Sequence, residues 1–220
     1  MRGKFIVFEG LDGSGKTTVA QAYLSSLVEK GEISTYVKIP NYNNESGIKL
    51  KKMLTGEEIF EPTLFTALVI HNTIVESKHI KRLLNAGINV VADRYIFSDC
   101  VYRPIRERNK TTVNSIKEIL KEVNYGIDLI APDVLVIVKA PVDLVFDSVT
   151  NREGSTEYFE TKERYAEAFY NFGVLETSIE EICKTDFNSE LKVIPLNNFI
   201  VKPVRPVLSN LVKTLQDKIQ

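Results

Sequence analysis

Near its start the chain carries the segment Gly10-Leu11-Asp12-Gly13-Ser14-Gly15-Lys16-Thr17. This segment matches the phosphate-loop pattern G-x-x-x-x-G-K-[ST] in full. The apolar run 5–8 comes before it, and the amphipathic pattern 19–28, typical of a helix, follows it. A buried strand, a glycine-rich turn and a helix in this order are the setting in which the pattern binds phosphate. The sequence therefore predicts a site for a nucleoside triphosphate.

Each residue type in this loop has a chemical reason. Gly13 and Gly15 permit backbone conformations that a Cβ atom would forbid, so successive N–H groups can turn towards an anion. Lys16 supplies a positive charge to the β- and γ-phosphates, and the Thr17 hydroxyl is a ligand for Mg²⁺. The expected ATP-binding residues are Gly10, Leu11, Asp12, Gly13, Ser14, Gly15, Lys16, Thr17 and Thr18.

Short β-branched runs alternate with longer helical patterns along the rest of the chain, which is typical of a parallel sheet covered by helices on both faces. The predicted strands are 4–8, 35–39, 88–92, 134–138 and 192–195, and the predicted helices are 19–28, 64–84, 112–125 and 204–219. No linker or repeat divides the chain, so we expect a single domain over 1–220. The predicted class is α/β: a three-layer P-loop NTPase fold with a five-stranded parallel sheet flanked by helices.

The composition excludes several classes of protein. The 220 residues are 44% hydrophobic and 26% charged with a net charge of −1, which argues against a nucleic-acid or anionic-membrane binder. Two cysteines, Cys100 and Cys183, are too few and too far apart for a disulfide scaffold or a Cys-rich zinc site, and with only two histidines we do not expect a four-ligand Cys/His site. No apolar run approaches the ~18 residues of a membrane helix. We therefore expect a cytoplasmic protein without a membrane or nucleic-acid partner.

A second element of the site follows the predicted strand 88–92. Asp93 would lie at the same edge of the sheet as the phosphate loop, because the carboxyl ends of parallel strands meet at one edge. This makes Asp93, together with Thr17, the candidate metal ligand. Arg94 comes next, and an acid and an arginine at that edge suit phosphoryl transfer, in which positioning and charge neutralisation supply most of the rate. A surface ion pair at the end of a strand is the alternative.

Three motifs of the chain resemble those of the thymidylate kinases. Residues 8–18 resemble the opening of these enzymes, Asp93-Arg94-Tyr95-x-x-Ser98 resembles their second signature, and Pro132-Asp133 resembles a third. The resemblance spans nearly the whole chain. It implies a nucleoside monophosphate kinase that transfers the ATP γ-phosphate to dTMP and gives dTDP for dTTP synthesis. It also implies Mg²⁺ as cofactor, ATP as co-substrate and a homodimer.

The resemblance further implies roles for single residues. Asp12 matches the acid that accepts a hydrogen bond from the 3′-hydroxyl of the acceptor, and Arg94 matches the arginine that contacts the acceptor phosphate. Tyr102 matches an aromatic residue that disfavours ribonucleotides, with a core tyrosine as the alternative. Arg152 falls in the segment 150–160, where family members carry the arginine of a closing lid, with a solvated loop as the alternative. The expected catalytic residues are Lys16, Arg94 and Arg152.

Three positions depart from the family pattern. Asn41 follows Pro40 where the family carries an arginine, and Thr73 stands where an arginine usually reads the thymine carbonyl. Val69 takes the place of a stacking phenylalanine, for which Phe65 is a candidate substitute. The alternatives are therefore a kinase for another deoxynucleotide or a nucleoside, and a switch ATPase. The expected substrate-binding residues are Asp12, Tyr42, Val69, Thr73, Arg94, Ser98, Asp99 and Tyr102.

A short basic run contains Arg103, Arg106, Arg108 and Lys110. Because the total charge is near neutral and no aromatic residues alternate with these cations, the run is not typical of a nucleic-acid patch. The sequence favours a solvated face, or a rim that guides anionic substrates.

Overall fold

The computed structural model describes residues 1–150, 161–198 and 205–219. Five strands lie in these ranges: β1 (Phe5–Glu9), β2 (Ser34–Lys38), β3 (Asn89–Asp93), β4 (Val134–Lys139) and β5 (Lys192–Asn197). Eight helices lie in the same ranges: α1 (Lys16–Glu29), α2 (Glu45–Thr55), α3 (Pro62–Asn85), α4 (Ile96–Arg106), α5 (Val113–Glu122), α6 (Val142–Thr150), α7 (Lys162–Phe187) and α8 (Arg205–Ile219). Arg152 and most of the predicted lid lie outside the described residues.

All five strands are parallel and follow the order β2-β3-β1-β4-β5. Each predicted strand begins and ends within two residues of the ends of an observed strand. The register pairs Phe8 with Asp93, so the residue that precedes Glu9 on β1 and the last residue of β3 are neighbours at one edge of the sheet. The predicted fold class, a five-stranded parallel sheet flanked by helices, is confirmed.

The central strand β1 is buried on both faces. Phe5 and Val7 belong to a core that also contains residues of α3, α4, α5 and α7. Ile6 and Phe8 belong to a second core, which contains residues of α1 and α8. Successive strand residues point to opposite faces, so an entirely apolar strand requires helices on both sides. The result is a three-layer arrangement with the sheet in the middle.

Several helices were not predicted, and α4 is the one that matters for the site. Pro104 lies inside α4, where it removes one backbone donor and weakens the local helical signal. The helix forms because one face is buried in the core through Ile96, Phe97, Cys100 and Val101. No helix in the described ranges is long and apolar enough to cross a membrane.

The chain between β2 and α2 is held against α3 by a buried amide. Asn72 on α3 is fully buried, and its Oδ1 accepts a hydrogen bond from the Asn41 N–H at 2.8 Å. Its Nδ2 donates to the Asn41 carbonyl at 3.1 Å and to Asn44 Oδ1 at 2.8 Å. On the other side, a Cβ atom added to Gly47 of α2 would lie 1.8 Å from the Asn41 carbonyl oxygen. Tyr42 is therefore carried on a tightly constrained segment.

We predict opposite effects for alanine at two helical glycines. Gly47→Ala lowers the free energy of unfolding by about 1–3 kcal/mol, because the new methyl group meets backbone atoms that cannot move freely. Gly173→Ala, in α7, raises it by about 0.5–1 kcal/mol, because alanine loses less backbone entropy than glycine. Nothing lies within 4 Å of a Cβ atom built at Gly173. Urea unfolding of both variants measures the two changes, and a stabilised Gly47→Ala would contradict the packing given for α2.

Candidate active site

A cavity of about 510 Å³ opens beyond the carboxyl ends of β1, β2 and β3. Its walls come from the phosphate loop, from α2, α3 and α4, and from the start of α7. Most of the predicted site residues line this cavity: Leu11, Asp12, Gly13, Gly15, Lys16, Thr17, Thr18, Tyr42, Val69, Thr73, Asp93, Arg94, Ser98, Asp99 and Tyr102. Gly10 and Ser14 do not line it. The phosphate loop and the residues expected for the acceptor thus share one space.

The phosphate loop ends in the first turn of α1. Gly15 is the N-cap with φ of 83°, and no side chain caps the helix there, which leaves its first N–H groups for an anion. At Gly13, where φ is 87°, a Cβ atom would lie 2.8 Å from Val149 Cγ2. Lys16 is 6% exposed and donates to Asp12 Oδ1 at 3.1 Å. The loop therefore has the glycines and the buried cation that a polyphosphate requires.

Gly10 and Ser14 connect the phosphate loop to β4 and to the residue that follows β5. A Cβ atom at Gly10 would lie 2.4 Å from the Val138 carbonyl oxygen of β4. The Ser14 carbonyl accepts a hydrogen bond from Asn198 Nδ2 at 2.8 Å, and the Ser14 side chain is fully buried. Asn198 follows β5 directly, and its contact with the loop was not predicted because the two residues are 184 positions apart. A role of Gly10 and Ser14 in ATP binding stays a prediction.

Arg94 is the centre of a cluster of charges. Its Nη2 donates to Asp12 Oδ1 at 2.6 Å, and its Nη1 donates to Ser98 Oγ at 2.7 Å. Its guanidinium carbon lies 5.5 Å from the centre of the Tyr102 ring. The backbone of Arg94 has φ of 72°, a left-handed conformation that costs free energy for a residue with a Cβ atom. The surrounding contacts maintain this conformation and point the guanidinium into the cavity.

Glu9 belongs to the same cluster of charges, and the sequence analysis did not predict this. Its carboxylate is fully buried, and it accepts hydrogen bonds from the N–H groups of Tyr95 at 2.9 Å and Ser98 at 3.0 Å. It also accepts from Ser98 Oγ at 2.6 Å and lies 3.7 Å from Arg94 Nη1. Burial raises the pKa of Glu9, against the opposing effect of Arg94. A single acid at the end of an apolar strand, directly before the loop, was the available signal.

Asp12 lies between two cations. Burial by itself would raise its pKa, but the charges of Arg94 and Lys16 outweigh that effect and hold the pKa of Asp12 well below its ordinary value. The Asp12 side chain is 48% exposed, so solvent screens part of this attraction. Burial, and then the neighbouring Arg94, lower the pKa of Lys16. Asp12 is therefore ionised at neutral pH and accepts hydrogen bonds only.

Asp93 and Thr17 meet where a metal ion would approach the triphosphate. Thr17 Oγ1 donates to Asp93 Oδ2 at 2.6 Å, and Tyr36 OH donates to the same oxygen at 2.9 Å. The other carboxylate oxygen, Asp93 Oδ1, is buried without a hydrogen-bond partner. No group of three His, Cys, Asp or Glu side chains in the described ranges could hold a metal ion alone. One carboxylate and one hydroxyl suit Mg²⁺, which keeps waters and binds substrate phosphates.

The residues at the three positions that depart from the family pattern differ in how they relate to the cavity. Phe65 and Val69 both line it from successive turns of α3. Thr73 Oγ1 donates to the Val69 carbonyl at 2.8 Å, so this hydroxyl is used within the helix. Asn41 does not line the cavity, because its Nδ2 donates to Glu76 Oε1 on α3 at 2.8 Å.

Tyr102 packs in the core and also lines the cavity, and its role against ribonucleotides stays a prediction. Its ring packs edge-on against Phe172 of α7, with ring centres 6.2 Å apart, as a core residue would. It also lines the cavity beside Arg94. Burial, together with the nearby Asp12 and Glu9, raises the pKa of Tyr102 despite the opposing charge of Arg94, so the hydroxyl is neutral at physiological pH. Arg164, at the start of α7, also lines the cavity and was not predicted.

Arg103 and Arg106 do not form the solvated face that the sequence favoured, and the alternative, a rim that guides anionic substrates, stays a prediction. Their side chains are only 9% and 6% exposed, because both pair with the buried carboxylate of Asp99. Arg103 also pairs with Glu122. Arg108 is exposed, as expected. Asp99 precedes the two arginines by one and two helical turns, but the sequence does not show that its carboxylate is buried.

A phosphate loop at the carboxyl edge of a β2-β3-β1-β4-β5 parallel sheet, with a cation cluster in the adjoining cavity, defines a P-loop nucleotide-binding protein of the kinase type. The sequence profile of the family described as "Thymidylate kinase" matches residues 8–193. The chain belongs to the thymidylate kinase family.

Individual relatives agree with this assignment. A "Probable thymidylate kinase" of Methanococcus aeolicus is 30% identical over 98% of this chain and 97% of its own length. A "Thymidylate kinase" of Plasmodium falciparum is 28% identical, over 94% of this chain and 91% of its own length. A solved structure of a thymidylate kinase from Candida albicans shares the fold, with a TM-score of 0.71 and 22% identity over 99% of this chain and 93% of that one.

We predict that the contribution of Asp12 to stability depends on pH. The folded-state pKa of Asp12 lies below its unfolded value, so the contribution is present above the ordinary pKa of about 3.9 and is lost as the pH falls through the folded-state value. Asp12→Asn should lower the free energy of unfolding at pH 7 by about 1–2 kcal/mol, with solvent screening included.

Urea unfolding of both proteins between pH 3 and pH 7 measures this difference, which should shrink below about pH 4. Asp143→Asn is the matched control, because Asp143 pairs with Lys162 on the surface and is 76% exposed. A difference for Asp12→Asn that is the same at every pH would contradict the ion pairs given for Asp12.

Proposed function

We propose that the protein is a thymidylate kinase that transfers the γ-phosphoryl group of ATP to dTMP and gives ADP and dTDP. One observation carries the proposal: Arg94 and Asp12 stand in a cavity that begins at the phosphate loop and continues between α2, α3 and α4. A second nucleotide beside the triphosphate requires a cavity that continues beyond the phosphate loop in this way. The family to which the chain belongs supports the same reaction.

The reaction needs no covalent intermediate on the protein. A phosphate oxygen of dTMP attacks the γ-phosphorus in line, and the bond from that phosphorus to the β,γ-bridging oxygen breaks, so ADP leaves with the bond electrons. Lys16 and Arg94 neutralise the charge that spreads over the transferred group. Arg94 is already oriented by Asp12 and Ser98, so little reorganisation is needed. For Arg152 we propose the same role on the resemblance alone.

Asp12 would hold the acceptor sugar. An acid in a phosphate loop repels phosphates unless cations offset its charge, and Lys16 and Arg94 do so here. Its side chain is about half exposed, so the carboxylate has capacity for one more donor. We propose that this donor is the 3′-hydroxyl of the acceptor, and that Tyr102 crowds the neighbouring C2′ position.

Thr17 and Asp93 would hold Mg²⁺ in this scheme. The buried Asp93 Oδ1 without a partner supports this choice. When bound, the ion supplies positive charge to the β- and γ-phosphate oxygens. A homodimer, a single domain over 1–220 and a cytoplasmic location stay predictions.

The other candidates fit the cavity less well. A switch ATPase needs no second pocket beside the triphosphate. A nucleoside kinase phosphorylates a hydroxyl group. It therefore needs a general base at the position of Arg94, and not a guanidinium. Arg94 within the cavity, with its pKa above the ordinary value because nearby acids outweigh burial, suits an acceptor that carries a phosphate.

We predict that a monophosphate screen identifies dTMP as the preferred acceptor. ADP release is followed in a coupled assay with ATP, Mg²⁺ and each of dTMP, dUMP, dGMP, dCMP, dAMP and UMP. We expect the highest kcat/KM with dTMP and little turnover of UMP, because Tyr102 lies in the cavity beside Arg94. If the protein phosphorylates none of these monophosphates, the kinase proposal is wrong.

We further predict that Asp12 serves the acceptor and not ATP. Asp12→Ala should lower kcat/KM for dTMP by about 10- to 100-fold, the value of a hydrogen bond to a charged group. The Kd for ATP, measured without acceptor, should change by less than about threefold. Asp143→Ala removes an exposed carboxylate outside the cavity and should change neither value. Unchanged use of dTMP by Asp12→Ala would favour a role for Asp12 in local packing only.

A further inference from the structure

Arg106 also lines the cavity, at the opposite end of α4 from Arg94. Arg106 is the last residue of α4, and the helix begins two residues after Arg94. Arg106 lies ten positions after Ile96, and a rise of 1.5 Å per residue makes this about 15 Å of helix. Arg94 and Arg106 therefore mark opposite ends of the wall that α4 provides.

Arg106 has a donor that the protein does not use. Its side chain is 6% exposed, and its Nη2 donates to Asp99 Oδ1 at 2.5 Å and, over a longer 3.4 Å, to Thr66 Oγ1. Its Nε is buried without a hydrogen-bond partner, so a molecule in the cavity does not reach that nitrogen. Its Nη1 has no hydrogen-bond partner among the described residues and is not fully buried. Nη1 is therefore the nitrogen that can donate to an acceptor atom of a ligand in the cavity.

The position of this guanidinium is determined from two sides. The Asp99 carboxylate is fully buried and holds one edge, and the Phe65 ring supports one face, with 5.0 Å from the guanidinium carbon to the ring centre. The neighbouring Arg103 differs, because its Nε and Nη2 bind Asp99, its Nη1 binds Glu122, and it does not line the cavity. Of these two arginines, Arg106 is the one that can bind a ligand.

The surroundings indicate what kind of acceptor Arg106 meets. Phe65, Val69, Leu54 and Ile105 line the cavity as apolar neighbours, a wall suited to a planar base and not to a second phosphate. Asp99 already offsets the positive charge. A guanidinium only donates hydrogen bonds, so it accepts a carbonyl oxygen as partner and rejects an exocyclic amino group.

We propose that Arg106 donates a hydrogen bond to the base of the acceptor at the carbonyl oxygen farther from the sugar, the 4-carbonyl of a pyrimidine. This inference rests on the proposed kinase function, which puts the acceptor phosphate at Arg94 and hence the base towards Arg106. Arg106, held by Asp99, thus selects monophosphates of keto pyrimidines over those of amino pyrimidines. It does so from α4, while Val69 and Thr73 of α3 offer no charged donor.

The test compares two acceptors that differ at this group. The monophosphates of thymidine and 5-methyldeoxycytidine share the methyl group and the sugar. Thymine has a 4-carbonyl and a proton on N3, whereas 5-methylcytosine has a 4-amino group and no proton on N3. For the unmodified protein we expect kcat/KM to favour dTMP by about 10- to 100-fold or more.

Arg106→Met keeps the apolar stem and removes every donor. We expect kcat/KM for dTMP to fall by about 10- to 100-fold, chiefly because KM rises. The kcat/KM for 5-methyldeoxycytidine monophosphate should change by less than about threefold, so the ratio of the two kcat/KM values decreases. Arg106→Lys keeps the charge beside Asp99 but loses the planar fork, and it should narrow the preference too. Lys110→Met removes an exposed cation of the same basic run and should leave the preference unchanged.

The outcomes separate this inference from the proposed function. If the unmodified protein phosphorylates neither acceptor, the kinase proposal fails and this inference fails with it. If it phosphorylates dTMP but Arg106→Met and Arg106→Lys keep the full preference, or lose activity equally with both acceptors, the inference alone is overturned. Circular dichroism reports whether Arg106→Met folds, and if it does not, Arg106→Lys decides the question.

Discussion

Two cations at the edge of the sheet constrain the rest of the site. Lys16 and Arg94 approach each other in a largely buried position, and the Asp12 carboxylate binds both. Without that carboxylate, two like charges would face each other with little solvent between them. The arrangement keeps the cavity positive enough for phosphates and gives each cation a defined position before any substrate binds. It also explains why an acid belongs in a loop that binds anions.

Buried carboxylates orient the arginines along α4. Glu9, from the end of β1, accepts hydrogen bonds from the first turn of this helix and contacts Arg94, so it caps the helix and positions the arginine together. One turn into the helix, Asp99 orients Arg106 in the same way. A buried acid next to an arginine removes most of the freedom of a long side chain, which favours precise contacts with a substrate. The length of α4 therefore sets the separation of the two guanidinium groups, one near each end of the helix.

The sequence analysis succeeded where the signal is local. The five strands were predicted to within two residues because apolar runs and turns are short-range features. It missed α4, because Pro104 weakens the helical pattern and only burial against the core stabilises the helix. It also misjudged Arg103 and Arg106, because net charge and spacing do not reveal whether a buried acid binds a basic residue.

The sequence by itself determined the phosphate loop, the strand before it and the helix after it, because consecutive residues and their backbone conformations define this unit. It also determined the parallel sheet, since strands that are apolar throughout need cover on both faces. Only the tertiary structure decided which charged side chains share the cavity. Glu9 meets Ser98 across 89 positions of sequence, and Arg106 meets Phe65 from another helix. Such contacts depend on how helices pack on the sheet, and no local pattern records that packing.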